Sequence, residues 1–145
     1  MRAVVQRVSG AQVVADGEIV GEVDLGLCVL LGVAADDDEA VAGRLAGKVA
    51  RLRIFENEEG RFDRNVVDVH GGALVVSQFT LIADTAKGNR PSFTRAAPPE
   101  QAERLYEGFC EALESQGLDV ARGRFGARMV VELANDGPVT IVLDA

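Results

Sequence analysis

Few side chains in this sequence have types and spacing that suit chemistry. Ser77 and Thr80 lie in Ser77-Gln78-Phe79-Thr80-Leu81, where polar residues interrupt an apolar run and can bring hydroxyls and backbone amides to the surface. A hydroxyl nucleophile needs an adjacent base, and the sequence offers no obvious one. The single histidine, His70, falls in Val69-His70-Gly71-Gly72, which reads as a surface turn. Strand-end hydroxyls also bond backbone groups in purely structural roles. The second segment is Asn135-Asp136-Gly137-Pro138-Val139-Thr140, a tight turn with a Gly-Pro bond between two strands. X-Pro bonds are cis in only ~5–6% of cases, so on the residues alone both segments remain strand ends.

The two cysteines, Cys28 and Cys110, stand far apart within apolar stretches. They form neither a metal-binding CxxC nor a disulfide framework, which predicts core positions in a reducing cytoplasmic setting. With one histidine, neither a metal site nor a Ser-His-Asp triad is expected, and no cofactor.

The elements that position these groups follow from pattern. At 145 residues, without a linker or repeat, the chain is expected to form a single domain spanning 1–145. No apolar run approaches the ~20 residues of a membrane helix, and the first residues lack a signal-peptide pattern. Val4–Val8 and Gln12–Ala15 read as strands, followed by the tight-turn pair Asp16-Gly17 and a strand through Glu18-Ile19-Val20. Leu27–Val33 and Ala73–Ile82 read as strands buried on both faces. The acidic run Asp36–Glu39 predicts a helix start, with Val41, Leu45, Val49 and Leu52 as its apolar stripe. Pro98-Pro99 opens a second helix that buries Ala102, Leu105, Tyr106, Phe109, Cys110 and Leu113 and stops at Gly117. The end returns to strands around a turn at Asn135–Pro138. Strand runs with two amphipathic helices and no regular βαβ alternation predict an α+β fold with a mixed, largely antiparallel sheet.

Fifteen Lys and Arg against twenty-three Asp and Glu give a net charge of −8, which opposes nonspecific binding to long nucleic-acid duplexes, DNA included. Two stretches carry only positive charge: Lys87, Arg90 and Arg95, then Arg122, Arg124 and Arg128. They are either ordinary solvated surface or a small anion-facing patch suited to a short piece of nucleic acid.

Taken together, the two motif segments resemble the D-aminoacyl-tRNA deacylase (D-tyrosyl-tRNA deacylase) family. Ser77-Gln78-Phe79-Thr80-Leu81 is similar to its SQFTL motif, and Asn135–Thr140 to its NxGPVT motif in the common Asp form. Val5–Val8, Gly88–Phe93 and Gly123–Ala127 support the likeness, which runs nearly end to end. The resemblance implies a barrel-like sheet and hydrolysis of the ester joining a D-amino acid to the 3′ end of tRNA. It implies a homodimer with composite sites, in which a cis Gly137-Pro138 of one subunit reaches into the site of the other. It assigns Arg7 to holding the Gly-Pro orientation and the Phe125 carbonyl to the substrate α-amino group. The catalytic segment is then Ser77, Gln78, Phe79 and Thr80; Lys87, Arg90, Arg95, Arg122 and Arg124 are the expected contacts to the tRNA acceptor end.

An aminoacyl ester is already activated, so backbone amides near Ser77–Thr80 stabilising the oxyanion, with help from the terminal ribose 2′-hydroxyl, can suffice. A rigid Gly-Pro backbone rejects the L side chain by steric exclusion; glycine, having no side chain, evades it, so glycyl-tRNA is an expected substrate. The rivals are a small-molecule esterase with Thr80 as nucleophile and a non-catalytic dimeric module that binds tRNA or an amino acid.

Overall fold

Burial alternates along Arg2–Ala15, and these fourteen residues form one strand, β1, on which the sheet is organised. The structure, a computed structural model, describes residues 1–145. The two short strands expected here are a single continuous one, because both halves find partners on each side. Asp16 and Gly17 adopt φ of 51° and 77°, the left-handed pair that a two-residue hairpin turn requires. They lead into β2, Glu18–Val23, which is antiparallel to the second half of β1. β3, Gly26–Gly32, is buried almost throughout and pairs antiparallel with the first half of β1.

Helix α1, Glu39–Arg51, begins at the end of the acidic run. Asp38 caps it, accepting from the Val41 amide at 3.0 Å. Asp37 turns inward instead: its carboxylate accepts from the Ala34 amide at 2.7 Å and pairs with the Met1 amino group at 2.7 Å. Leu45 and Val49 of the expected stripe are buried, joined by Ala42, Ala46 and Ala50, while Val41 and Leu52 pack at its margin. A small hairpin follows, β4 (Phe55–Glu56) and β5 (Phe62–Arg64), too short for any periodicity to announce.

β6, Gly72–Ser77, runs parallel to β3. The strand expected to reach Ile82 stops at Ser77, and Phe79–Ile82 form a 3₁₀ turn. The reason is the neighbour: β3 ends at Gly32, and after the Gln78 amide donates to the Leu31 carbonyl at 2.8 Å no ladder remains to join. α2, Pro99–Ser115, buries the six residues expected of it, and Gly117 follows at φ 95°. β7, Val120–Arg122, lies parallel to β6.

The last strand, β8 (Val130–Asp144), runs antiparallel along nearly all of β1. The turn expected at Asn135–Pro138 does not reverse the chain. Gln6 faces Thr140 and Val8 faces Asn135, so four residues, 136–139, oppose Arg7 alone and bulge from a single strand. A bulge leaves its extra residues unpaired and free to be aimed elsewhere.

The sheet order is β2-β1-β3-β6-β7, with β8 on β1. β2 comes back against β7: a Cβ on Gly21 would run into the Arg122 carbonyl oxygen, so only glycine fits there. The mixed sheet therefore nearly closes into a barrel, as the resemblance implied. One core lies between its face and the two helices; a smaller one, with Val8, Val13, Cys28, Leu74 and Val76, fills the barrel. No helix is long and apolar enough to cross a membrane.

Candidate active site

Ser77 closes β6, and the 3₁₀ turn that follows exposes Phe79 and Thr80. In such a turn the first amides have no partner within the helix. The Leu81 amide returns to the Gln78 carbonyl at 3.2 Å, and the Gln78 amide is already given to Leu31. Of the amides in this motif, those of Phe79 and Thr80 are the ones the turn's own pattern leaves over. Thr80 Oγ1 accepts from the Gln78 side-chain amide at 2.6 Å. A carboxamide is no base, and His70 stands in an exposed turn at φ 56°.

Ser77, Gln78 and Phe79 line an apolar cavity of about 630 Å³. Its far wall is Phe125, Gly126 and Ala127 with Met129, and Phe93 meets Phe79 edge-on at its mouth, ring centroids 5.1 Å apart. The Phe125 wall is held from behind. Tyr106 Oη donates to the Val75 carbonyl at 2.7 Å, the Gly123 amide donates to the same oxygen at 3.1 Å, and the Tyr106 ring lies 6.1 Å from that of Phe125. Burial raises the Tyr106 phenol well above its ordinary value, keeping it a neutral donor.

Gly137 and Pro138 do not line this cavity. They ride on the β8 bulge, with their peptide bond cis. Beneath the bulge lies Arg7, a buried guanidinium that no apolar pattern could announce: Nε donates to the Asp136 carbonyl at 3.0 Å and Nη1 to the Ile54 carbonyl at 2.9 Å. Asn135 ties the base of the bulge, its Oδ1 accepting from the Val139 amide at 3.0 Å and its Nδ2 donating to Thr140 Oγ1 at 3.0 Å. Asn135, Asp136 and Ile54 contribute carbonyls or amides whose part was not visible in the sequence as single residues. One chain thus gathers Ser77, Gln78 and Phe79 of the first motif and the Phe125 loop at one cavity, while Thr80 is exposed beside it and Gly137 and Pro138 lie off its lining.

The two basic stretches differ except at Arg128, which is exposed and without an ion pair like the first three. Lys87, Arg90 and Arg95 are exposed and make no ion pair. Arg122 is spent on α2, its Nε 3.2 Å from Glu107 and its Nη2 2.7 Å from Glu114, and Arg124 sits 3.3 Å from Asp16. No group of three or more His, Cys, Asp or Glu is gathered as a metal cluster would need. Both thiols are buried, which pushes Cys28 up to about 11 and Cys110 up to about 12.

Known proteins are similar to the chain along its whole length. The "D-aminoacyl-tRNA deacylase" proteins of Ruegeria pomeroyi and Deinococcus deserti are each 58% identical to the chain over 144 residues, covering 99% of both partners. A solved structure described as "c-Myc DNA Unwinding Element Binding Protein" superposes with a TM-score of 0.93 at 43% identity, over 100% of this chain and 99% of that one. Another, of a probable eukaryotic D-amino acid tRNA deacylase, gives 0.84 at 17% identity over 99% and 98%, a likeness of fold alone. The family model described as "D-Tyr-tRNA(Tyr) deacylase" matches residues 4–144, nearly the whole chain, and the chain belongs to that family.

Proposed function

We propose that the chain hydrolyses the ester bond of D-aminoacyl-tRNA, releasing the free D-amino acid and tRNA, and rejects the L-aminoacyl form. The observation that carries this reading is the separation of the two motifs. A cavity floored by Ser77, Gln78 and Phe79 lacks Gly137 and Pro138, which a bulge holds out from the same chain. A second copy supplies them, so the working unit is a homodimer with two composite sites.

Within such a site the Phe79 and Thr80 amides receive the ester carbonyl oxygen as charge develops on it. One oxyanion donor is worth ~3 kcal/mol of barrier, so an activated ester needs no side-chain nucleophile. The neighbouring ribose 2′-hydroxyl orients the attacking water, and the Phe125 carbonyl accepts from the substrate α-amino group. The partner copy's backbone at 137–138 occupies the space an L side chain needs, while the Cα hydrogen of the D form passes. A wall that excludes without recognising admits many D side chains, and it admits glycine. Lys87, Arg90 and Arg95 contact phosphates of the acceptor end, as an otherwise acidic protein requires. The setting is cytoplasmic, where charged tRNA is found.

The decisive experiment is parallel deacylation of tRNA charged with the D and L forms of one amino acid. Hydrolysis confined to the D form is expected; equal consumption of both overturns the reading. Free amino-acid esters included beside them separate a simple esterase, which needs no RNA. Glycyl-tRNA is expected to be cleaved measurably, and complete inertness at high enzyme would count against steric exclusion as the basis of selection.

A further inference from the structure

Arg7 is held from two sides that no strand pairing joins. On one side is the β8 bulge: the Asp136 carbonyl accepts from Nε, and Nη2 rests against the bare α-carbon of Gly137, where a Cβ would lie 3.0 Å from it. On the other is the β4–β5 hairpin with the residue before it. Ile54 accepts from Nη1, the Glu56 carboxylate lies 3.7 Å from that nitrogen, and the Phe62 ring centroid is 5.7 Å from the guanidinium carbon. β4 and β5 pair only with each other and β8 only with β1, so the guanidinium is a bridge between the two.

The bulge reaches the planar guanidinium at Nε alone, through the Asp136 carbonyl at 3.0 Å and the Asp136 carboxylate at 3.8 Å, so the plane can still rock about that edge. An aromatic face against that plane and a carbonyl at its far edge remove this freedom. Phe62 is 51% exposed, so its ring does little to fill the core, and its contact with Arg7 is the interaction the structure gives it. Arg7 itself belongs to the machinery already described; what holds Arg7 does not.

We infer that the β4–β5 hairpin positions the Gly137-Pro138 backbone: Phe62 and Glu56 fix the plane of the Arg7 guanidinium, and Arg7 holds the Asp136 carbonyl and packs close to Gly137. Phe62 is a positioning residue for stereoselectivity that touches neither substrate nor reacting atoms. This inference rests on the proposed steric rejection of the L form.

Phe62→Ala and Phe62→Trp, compared with the unmodified chain in two measurements, test it. In deacylation, Phe62→Ala is expected to lower the D-over-L ratio of kcat/KM by about three- to tenfold, the worth of one cation–π contact expressed as a rate. Phe62→Trp restores it, because an indole offers a larger π face. In ¹⁵N spectra, the Arg7 Nε and Gly137 amide signals are expected to shift and broaden in Phe62→Ala and to return in Phe62→Trp. Unmoved signals in Phe62→Ala overturn the hairpin's hold on the bulge, whatever the activity. Moved signals with an unchanged ratio overturn its link to selectivity. Equal hydrolysis of both enantiomers by the unmodified chain overturns the stereochemical reading itself, and the spectra then decide on their own whether the hairpin holds the bulge.

Discussion

Adding one methyl group at Gly137 probes the centre of the proposed filter. The ideal Cβ position lies 2.9 Å from Val139 Cγ2, 3.0 Å from Arg7 Nη2 and 3.3 Å from the Val139 amide nitrogen. Comfortable separations for such atoms are ~3.5–4.0 Å, so two neighbours would each have to withdraw by half an ångström or more. Neither is free to do so: Val139 is buried, and Arg7 is fastened to the Asp136 and Ile54 carbonyls. The backbone adds its own penalty, because φ at 137 is +128° and a left-handed conformation costs an L residue ~1–2 kcal/mol. Loosening the Arg7 hydrogen bonds costs ~1.5–3 kcal/mol more. Gly137→Ala should therefore lose ~3–5 kcal/mol, a fall in Tm of roughly 8–15 °C for a domain of this size. Measured well below that Tm, deacylation of D- and L-charged tRNA should show the D-over-L ratio collapsing, since the displaced carbonyls no longer occupy the same space. An alanine variant with Tm within 2 °C of the parent (about the effect of half a kcal/mol) and an unchanged ratio would refute both the packing and the filter.

Thr80→Ala should reduce the single-turnover rate by only about two- to tenfold, the worth of one neutral hydrogen bond; a loss of a thousandfold or more would make the hydroxyl a nucleophile. Neutralising Lys87 and Arg90 together should raise KM and flatten its logarithmic salt slope by about 0.7 for each phosphate contact removed. Arg122→Met, by contrast, should lower thermal stability by unpairing Glu107 and Glu114 and leave that slope alone. Alkylation at pH 8 tests the thiols: with Cys28 raised to about 11, only about a thousandth is thiolate. Native protein should resist iodoacetamide and denatured protein should react at both cysteines; rapid native labelling would show that one is not buried.

The elements that local pattern could announce are those whose partners did not matter. Asp16-Gly17 makes its turn because those two residues tolerate left-handed backbone, and α2 buries Ala102 through Leu113 because a 3.6-residue period puts them on one face. The apolar run of β3 and the core positions of both cysteines follow from hydrophobicity alone. The motif segments, and with them the family, were likewise plain in the chain.

Tertiary structure decided whatever depends on a neighbour. β6 stops at Ser77 because β3 ends beside it, and that stop turns an apolar strand into a 3₁₀ turn with amides to spare. Asn135–Thr140 carries turn residues yet bulges from one strand, since β1 continues past it and pairs with both flanks. Arg122 and Arg124 look like Lys87 and Arg90 in sequence, but only the fold brings Glu107, Glu114 and Asp16 to the first pair. Charge, periodicity and turn propensity are written along the chain, whereas pairing is a property of two distant segments at once, so only the folded protein could settle it.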